Sequence, residues 1–401
     1  MLNKMAFRYI VRHKRRSILT GLAIGIGTLL FSFSYSMAEG MYGDIIEMFT
    51  TESVGHVQIY KDNYLDSPAI YKNMAIEPNL IAEIKKIKQV ESVTTRIKLN
   101  ALAFFKKKTS GAQVIGIDLD NEPKTTHLLS KKLEGRLPKQ GTYEVIISKK
   151  IAKLLHIKIG DDLVLIGQGA DGSIANDLFK VAGIADFKGS MLGESIILGN
   201  ISAMEEFASM YGKSHEVVIK LKSYFASKKA AKQIQTILPK DFNVYPWEDS
   251  QTTFYKSMQA DKKGNNIFLA VIMFIVALGV LNAIFMNVYE RMKEYAVMRS
   301  IGVTSTQVFI LIISETLMLT LIALVPSLIL AFFVNLFFNH VGIHIPPMEY
   351  GGVTFSKMST SLNFKVFLLP AVVVLIMSFI SSILPAITAA RVNPCKLMRR
   401  N

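Results

Sequence analysis

The sequence predicts an integral membrane α-helical protein with four transmembrane helices and a large α+β domain inserted between helices 1 and 2. Three observations predict this class. Half of the 401 residues are hydrophobic and the mean hydropathy is positive, which points away from an ordinary soluble domain. The apolar residues gather in four runs, at residues 17–37, 265–289, 308–338 and 366–387, each able to supply the roughly 20 helical residues that cross a hydrocarbon core. Residues 40–264 contain no such run and read as short strands and helices.

Residues 1–16 hold Lys4, Arg8, Arg12, Lys14, Arg15 and Arg16 and no acid. Lys4, Arg8, Arg12 and Arg15 form one helical stripe and Leu2, Met5 and Tyr9 another, which predicts an amphipathic helix on the inner leaflet. Transmembrane helix 1 is expected at 17–38. A basic flank, an apolar run and Ser36-Met37-Ala38 also match a secretory signal, but the run exceeds the about 7 to 15 residues of such signals. Under either reading the large domain after this run is exported. Gly21 with Gly25, and Ala23 with Gly27, are small residues four apart that permit close helix packing, within the chain or between two copies.

The exported domain spans 39–246. Strands are expected at 54–60, 99–105, 113–117, 145–148, 163–166, 179–184, 195–198 and 216–221, and helices at 79–90, 201–211 and 224–238, the last stopped by Pro239. The glycine-rich loop at 167–172 lacks the Gly-Lys-Ser/Thr of a phosphate-binding loop and reads as a hairpin tip. The polar stretch 247–265 is expected to be a helical stalk continuous with transmembrane helix 2 at 266–289; at 1.5 Å per residue, about 15 residues would lift the domain roughly 20 Å. Trp247 is either an interface anchor or a packing residue at the stalk base.

Residues 290–304 form a charged segment between two spans, too short for an enzyme. As a helix it would put Glu290, Arg291, Lys293, Glu294 and Arg299 on one side and Tyr295, Val297, Met298 and Ile301 on the other, an arrangement suited to docking in the groove of a cytosolic partner. Transmembrane helix 3 (305–338) holds Glu315, the single charge within a span. It is read as pairing with a base such as Arg299, against a transport-path acid as the alternative. In the loop 339–363, His340 and His344 stand four apart near Glu349, but Gly342, Pro346 and Pro347 argue against the helix that a zinc pair needs, so no metal is expected. Transmembrane helix 4 (364–388) leads into a basic tail (389–401).

Arginine and lysine in the short flanks place both termini and the 290–304 segment in the cytoplasm and the large domain outside. These flanks also account for most of the formal charge of +15, which therefore marks topology and not nucleic-acid binding. The single Cys395 excludes an intrachain disulfide. No constellation of catalytic residues is present. The chain is not expected to be an enzyme or to carry a cofactor, and any ATP that powers it would be hydrolysed on a separate subunit.

The layout, with Phe7-Arg8-Tyr9-Ile10, Arg15 to Thr20, Glu290-Arg291, Glu294 to Gly302, Ser314-Glu315, Pro385-Ala386, Ala389-Ala390-Arg391 and Asn393-Pro394, resembles the permease subunits of the MacB, LolC/LolE and FtsX group of ABC transporters. Gly135 to Pro138, Ile146-Ile147-Ser148 and Gly160-Asp161 are similar to that group's outer-domain pattern. The sequence departs from it at Tyr295-Ala296-Val297, where Ile-Gly-Ile/Leu is usual.

The resemblance implies a coupling helix that docks on a cytosolic ABC ATPase dimer, with ATP and Mg bound there, through Glu290, Arg291, Glu294, Tyr295, Met298, Arg299 and Gly302. It implies a second permease subunit, identical or paired, and a bacterial inner membrane location with the large domain periplasmic. Length and the strand Gly55 to Ile59 are most similar to the LolC/LolE type. That type implies a lipoprotein substrate, acyl chains entering between helices 1 and 2 along Leu29, Leu30, Phe33, Phe268, Ile272 and Ile275, and hand-over to a periplasmic carrier. The loop 168–177 lacks the proline usual in a carrier-binding hook. The alternatives are MacB-like mechanical transmission for efflux and FtsX-like activation of a cell-wall hydrolase.

Overall fold

The computed structural model describes residues 14–130, 132–188, 192–351 and 353–391. Residues 1–13 of the helix expected at 1–16, and the tail beyond 391 with Lys396, Arg399, Arg400, Cys395 and Asn393-Pro394, lie outside the described residues; residues 14–16 open the first long helix. The chain separates into two compact units: a membrane unit (residues to Asp44, Gln259–Ile345 and from Lys357) and an outer domain (Ile45–Met258 and Pro346–Ser356).

Helix α1 (Lys14–Phe49) extends well past the predicted end of the first span and carries Glu39, Asp44 and Glu47. A π-helical turn, Thr50–Val54, comes next and ends at Gly55, whose φ of +72° and whose crowding by Val218 and the Ile219 carbonyl exclude a side chain. Strand β1 therefore begins at Val57 (Val57–Lys61), not at residue 54. Then come β2 (Met74–Ala75), α2 (Pro78–Lys86), β3 (Val90–Phe105), β4 (Lys108–Ile117), α3 (Glu122–Thr125), β5 (Leu133–Gly135), β6 (Glu144–Ser148), α4 (Lys149–Leu155), β7 (Asp162–Gln168), β8 (Ile174–Ala185), β9 (Ile196–Asn200), α5 (Ile201–Phe207), β10 (Lys213–Ser214), β11 (Glu216–Leu221), α6 (Ser227–Gln235) and β12 (Phe242–Pro246). The stalk region is α7 (Trp247–Ser250), a break at Gln251, and α8 (Thr252–Glu290), which continues through the second span. α9 (Met292–Ser300), α10 (Ser305–Val341), a hairpin of β13 (Ile343–Tyr350) and β14 (Val353–Met358), and α11 (Lys365–Ala390) complete the described chain.

The outer domain is built on a mixed sheet of order β12-β1-β11-β3-β4-β9-β6-β8-β5, with β7 bridging β3 and β8. β3 is much longer than the 99–105 predicted from its apolar end. Its first half alternates polar Thr94, Arg96 and Lys98 with apolar Val93, Ile97 and Leu99, and the polar side turns out to be buried in ion pairs. The stretch 149–155, not anticipated, is a helix because Ser148 caps it by accepting from the Ile151 N–H at 3.2 Å. His340 closes α10 and His344 lies in β13, so the two do not share a helical face.

Among the described residues, four helices are long and apolar enough to cross a membrane. Each buries a stripe at helical spacing: Leu269, Met273, Val280, Ile284 and Val288 on α8, and Val308, Leu311, Ile312, Glu315 and Leu319 on α10. Their opposite faces, such as Ile267, Val271, Phe274 and Leu278, are exposed, as a lipid-facing surface requires. α1 meets its neighbours through its glycines. Gly21 and Gly25 face Ala323 and Ser327 of α10, while a Cβ at Gly27 would come within 2.4 Å of Val276 on α8. At Gly40 a Cβ would strike the Ser359 carbonyl, and the surrounding stretch is knitted by polar contacts. Ser359 N–H donates to Asp44 Oδ2 at 3.1 Å and Ser36 Oγ donates to the Ser361 carbonyl at 2.6 Å.

Candidate functional site

α9 is clasped to the membrane unit. Arg291, just before it, is 2% exposed and its Nη1 donates to both oxygens of Glu315 at 2.6 and 2.8 Å, a charge-assisted pair in which one nitrogen is shared between the two carboxylate oxygens. Its Nε donates to Glu294 at 3.2 Å, and its guanidinium lies 5.2 Å from the Tyr295 ring centre. Thr20 of α1, Asn287 of α8 and Thr316 of α10 surround the pair beside a cavity of about 20 Å³, room for one water. Glu315 thus has a structural partner as expected, but the partner is Arg291. Arg299 instead donates to the Ala390 carbonyl of α11 at 2.5 Å.

The expected division of α9 into a charged and an apolar side is not what forms. Tyr295 is 1% exposed and packs with Val308 and Val288, whereas Val297 and Ile301 face outward. Helical geometry explains this: positions 291 and 295 are about 40° apart around the axis, positions 297 and 301 likewise, but 295 and 297 are about 200° apart. Of the seven docking candidates, Arg291 and Tyr295 point inward. Glu294, Met298 and Arg299 are half-buried, and Glu290 and Gly302 are exposed. The outward set is completed by Lys293, Val297, Ser300 and Ile301, the last 77% exposed. The capping box of α10, in which Gln307 N–H donates to Thr304 Oγ1 and Thr304 N–H to Gln307 Oε1, fixes where the turn ends.

The six expected pocket residues differ in exposure. Leu30, Phe268 and Ile275 are exposed, Leu29, Phe33 and Ile272 are half-buried, and Phe33 packs against Phe338 of α10 with ring centres 5.3 Å apart. The loop 168–177 is a tight hairpin: Gly169 N–H donates to the Ser173 carbonyl at 2.9 Å and Asp171 accepts from Ser173 N–H at 3.0 Å.

Sequence reasoning missed two constellations in the outer domain. Trp247 is buried against Phe49, Phe254 and Tyr255, and Phe49 stacks on Phe254 with centres 3.5 Å apart and planes within 6°. This decides between the two roles left open for Trp247: it is a packing residue. In the second, Arg96 is enclosed, donating from Nη1 to the Ser53 carbonyl at 2.6 Å and from Nε to Glu122 at 3.1 Å, with Glu216 3.6 Å away. Glu216 is also held by Lys98 at 2.7 Å and by hydrogen bonds from Gln58 and Tyr60. Burial alone would raise the Glu216 pKa; Lys98 and Arg96 outweigh it and hold the carboxyl below its ordinary value. The only sequence signal was the polar face of β3, because its partners lie far away along the chain.

A domain of mixed sheet between the first two of four apolar helices, with a short helix clasped by a buried ion pair after the second, defines a membrane permease subunit. Residues 17–237 match the family model of the MacB-like periplasmic core domain and residues 266–394 that of the FtsX-like permease C-terminal domain. The chain belongs to this family of ABC transporter permeases. It is 25% identical over 245 residues to the lipoprotein-releasing system transmembrane protein LolC of Buchnera aphidicola, a match that spans 59% of each chain. It is 22% identical over 303 residues to LolC of Xylella fastidiosa, covering 72% of this chain and 73% of that one. The macrolide export ATP-binding/permease protein MacB of Escherichia coli is 22% identical over 424 residues, 99% of this chain and 60% of the relative. Among solved structures, the periplasmic region of MacB from Actinobacillus actinomycetemcomitans matches with a TM-score of 0.37 at 16% identity, over 52% of this chain and 97% of that one.

Proposed function

We propose that this chain is the permease through which ATP hydrolysis on a cytosolic ATPase dimer, where ATP and Mg bind, drives movement of the outer domain in a bacterial inner membrane. The termini would be cytoplasmic and the outer domain periplasmic. The carrying observation is the Arg291–Glu315 pair, which ties α9 to the third span so that a push on α9 would move the helix bundle and not a slack loop. The outward residues Lys293, Val297 and Ile301 form the ATPase contact in this reading, with Glu290 and Gly302 at its ends.

The cargo we propose is a lipoprotein taken from the outer leaflet with a second permease copy or paralogue. Two LolC relatives support it, as do Leu30, Phe268 and Ile275, apolar residues of the first two spans that this chain leaves uncovered for acyl chains or the second permease. Hand-over to a periplasmic carrier is the least supported part, since the hairpin tip has no proline. The match to MacB, over 99% of this chain and 60% of the relative, favours mechanical transmission to an efflux partner as the second reading. Depletion of the protein separates them: lipoproteins accumulating in the inner membrane, with other envelope proteins sorted normally, supports release. Normal lipoprotein sorting refutes it and leaves transmission.

A further inference from the structure

The outer domain contains a cavity of about 360 Å³ that the coupling function does not use. It lies where β3 changes neighbours: β11 pairs with it as far as Arg96 and β7 takes over from Leu102. In the gap, Lys98 N–H donates to His215 Nδ1 at 3.0 Å, and His215 Nε2 donates to the Ile70 carbonyl at 2.9 Å. His215 thus pins one wall, the loop carrying Tyr64 to Tyr71. That loop is braced further by Lys72 Nζ donating to Asn63 Oδ1 and to the Ser67 carbonyl, each at 2.7 Å. The wall is built, and of the size range in which small ligands are held.

The floor is one face of the sheet. Asn100 and Gln113 are direct cross-strand partners, and Gln168 stands two residues beyond Ile166, the partner of Leu102. Along this face the residues are apolar at Leu102, Phe104 and Ile166 but carboxamide at the cavity. Carboxamides both donate and accept. Lys98 adds no unbalanced charge, because Glu216 holds its ammonium at 2.7 Å. At the rim Tyr71 is 69% exposed, an aromatic face open to stacking. Three neutral two-way hydrogen-bonding groups, a compensated cation and an open aromatic ring suit a ligand that is uncharged, rich in hydroxyl or amide groups, and flat on one apolar side.

We infer that this cavity is a binding site for a saccharide unit, with Asn100, Gln113 and Gln168 hydrogen-bonding its polar edge and Tyr71 stacking on its ring face. The site stands apart from the coupling reading, and neither depends on the other.

The test titrates the full-length protein in lipid nanodiscs with N-acetylglucosamine, and in parallel with acetate and with dialanine, by saturation-transfer NMR. Saccharide binding is expected, weakened at least tenfold, about 1.4 kcal/mol, by Tyr71→Ala and by Gln113→Ala, and unchanged by Leu178→Ser on the exposed part of β8. Tyr71 is a surface residue, so its variant reports on binding even where Gln113→Ala perturbs folding. No saccharide signal, saccharide binding indifferent to both substitutions, or preference for acetate or dialanine overturns the assignment.

Discussion

The membrane unit and the outer domain both bury arginine against glutamate, but in different settings. In the membrane unit Arg291 meets Glu315 beside a water-sized cavity, with the half-exposed Glu294 and the Tyr295 ring as further neighbours. In the outer domain Arg96 bridges Glu122 and Glu216, Lys98 pairs with Glu216, and Thr126, Tyr60 and Gln58 add hydrogen bonds to the cluster. The difference teaches where each unit can move. Opening the single pair beside the water-sized cavity exposes one guanidinium and one carboxylate, whereas opening the four-charge cluster strands several charges at once.

The largest effect is therefore expected at Arg96. Arg96→Met takes away the guanidinium that pairs with both Glu122 and Glu216, and should cost about 3–5 kcal/mol of outer-domain stability, the range for breaking a buried pair. Hydrogen exchange across β3 and the 50–54 turn in the intact protein is the measurement. Protection equal to the wild type there would remove the distinction between the two units.

Next comes Glu315→Gln, which keeps shape and removes the charge facing Arg291. The helices should remain assembled while α9 loosens; under the permease reading proposed above, an ATPase coupled through α9 would still turn over but its stimulation through the permease would fall at least tenfold. The double variant Arg291→Glu with Glu315→Arg should recover part of it. Recovery separates an interaction from mere loss of a residue, and unchanged stimulation in the single variant would count against α9 as a clasped coupling element.

The cluster also predicts an acid response specific to the outer domain. The Glu216 carboxyl titrates lower in the folded chain than when unfolded, because Lys98 and Arg96 prevail over burial. Its contribution is thus present above the unfolded value, near 4.3 for glutamate, and is lost as pH falls through the lower folded value. Glu216→Gln should flatten the loss of outer-domain stability with acid, at some cost at neutral pH. An acid profile that is the same in both proteins would show that other carboxylates govern it.

The physics of each region decides how much of it was legible in the sequence. The spans were readable because the bilayer imposes a length and an apolar composition that one chain displays by itself. β11 was readable because Glu216 to Leu221 is short, β-branched and bounded. The first half of β3 was hidden because Thr94, Arg96 and Lys98 look like a solvated face until Glu122 and Glu216 are brought to them. Likewise Glu315 announced that it needed a partner, but choosing Arg291 over Arg299 required knowing that α9 turns Arg291 and Tyr295 inward together. The extension of α1 beyond its span was masked by its acids Glu39, Asp44 and Glu47, which end the apolar run while the helix continues to Phe49.

The smallest expected effect tests whether α9 owes its place to the ion pair or to the turn after it. Thr304→Ala removes the hydroxyl that accepts from the Gln307 N–H, and with it half of the capping box at the start of α10. Such a loss costs about 1 kcal/mol, well below the cost of opening the Arg291–Glu315 pair. If the pair holds α9, protease sensitivity at residues 301–304 should rise while the exchange of α9 amides, and the ATPase stimulation expected under the permease reading, stay near wild type. If instead Thr304→Ala loosens α9 as much as Glu315→Gln does, the turn and not the buried charge is the clasp, and the membrane unit would depend on local capping where the outer domain depends on charge.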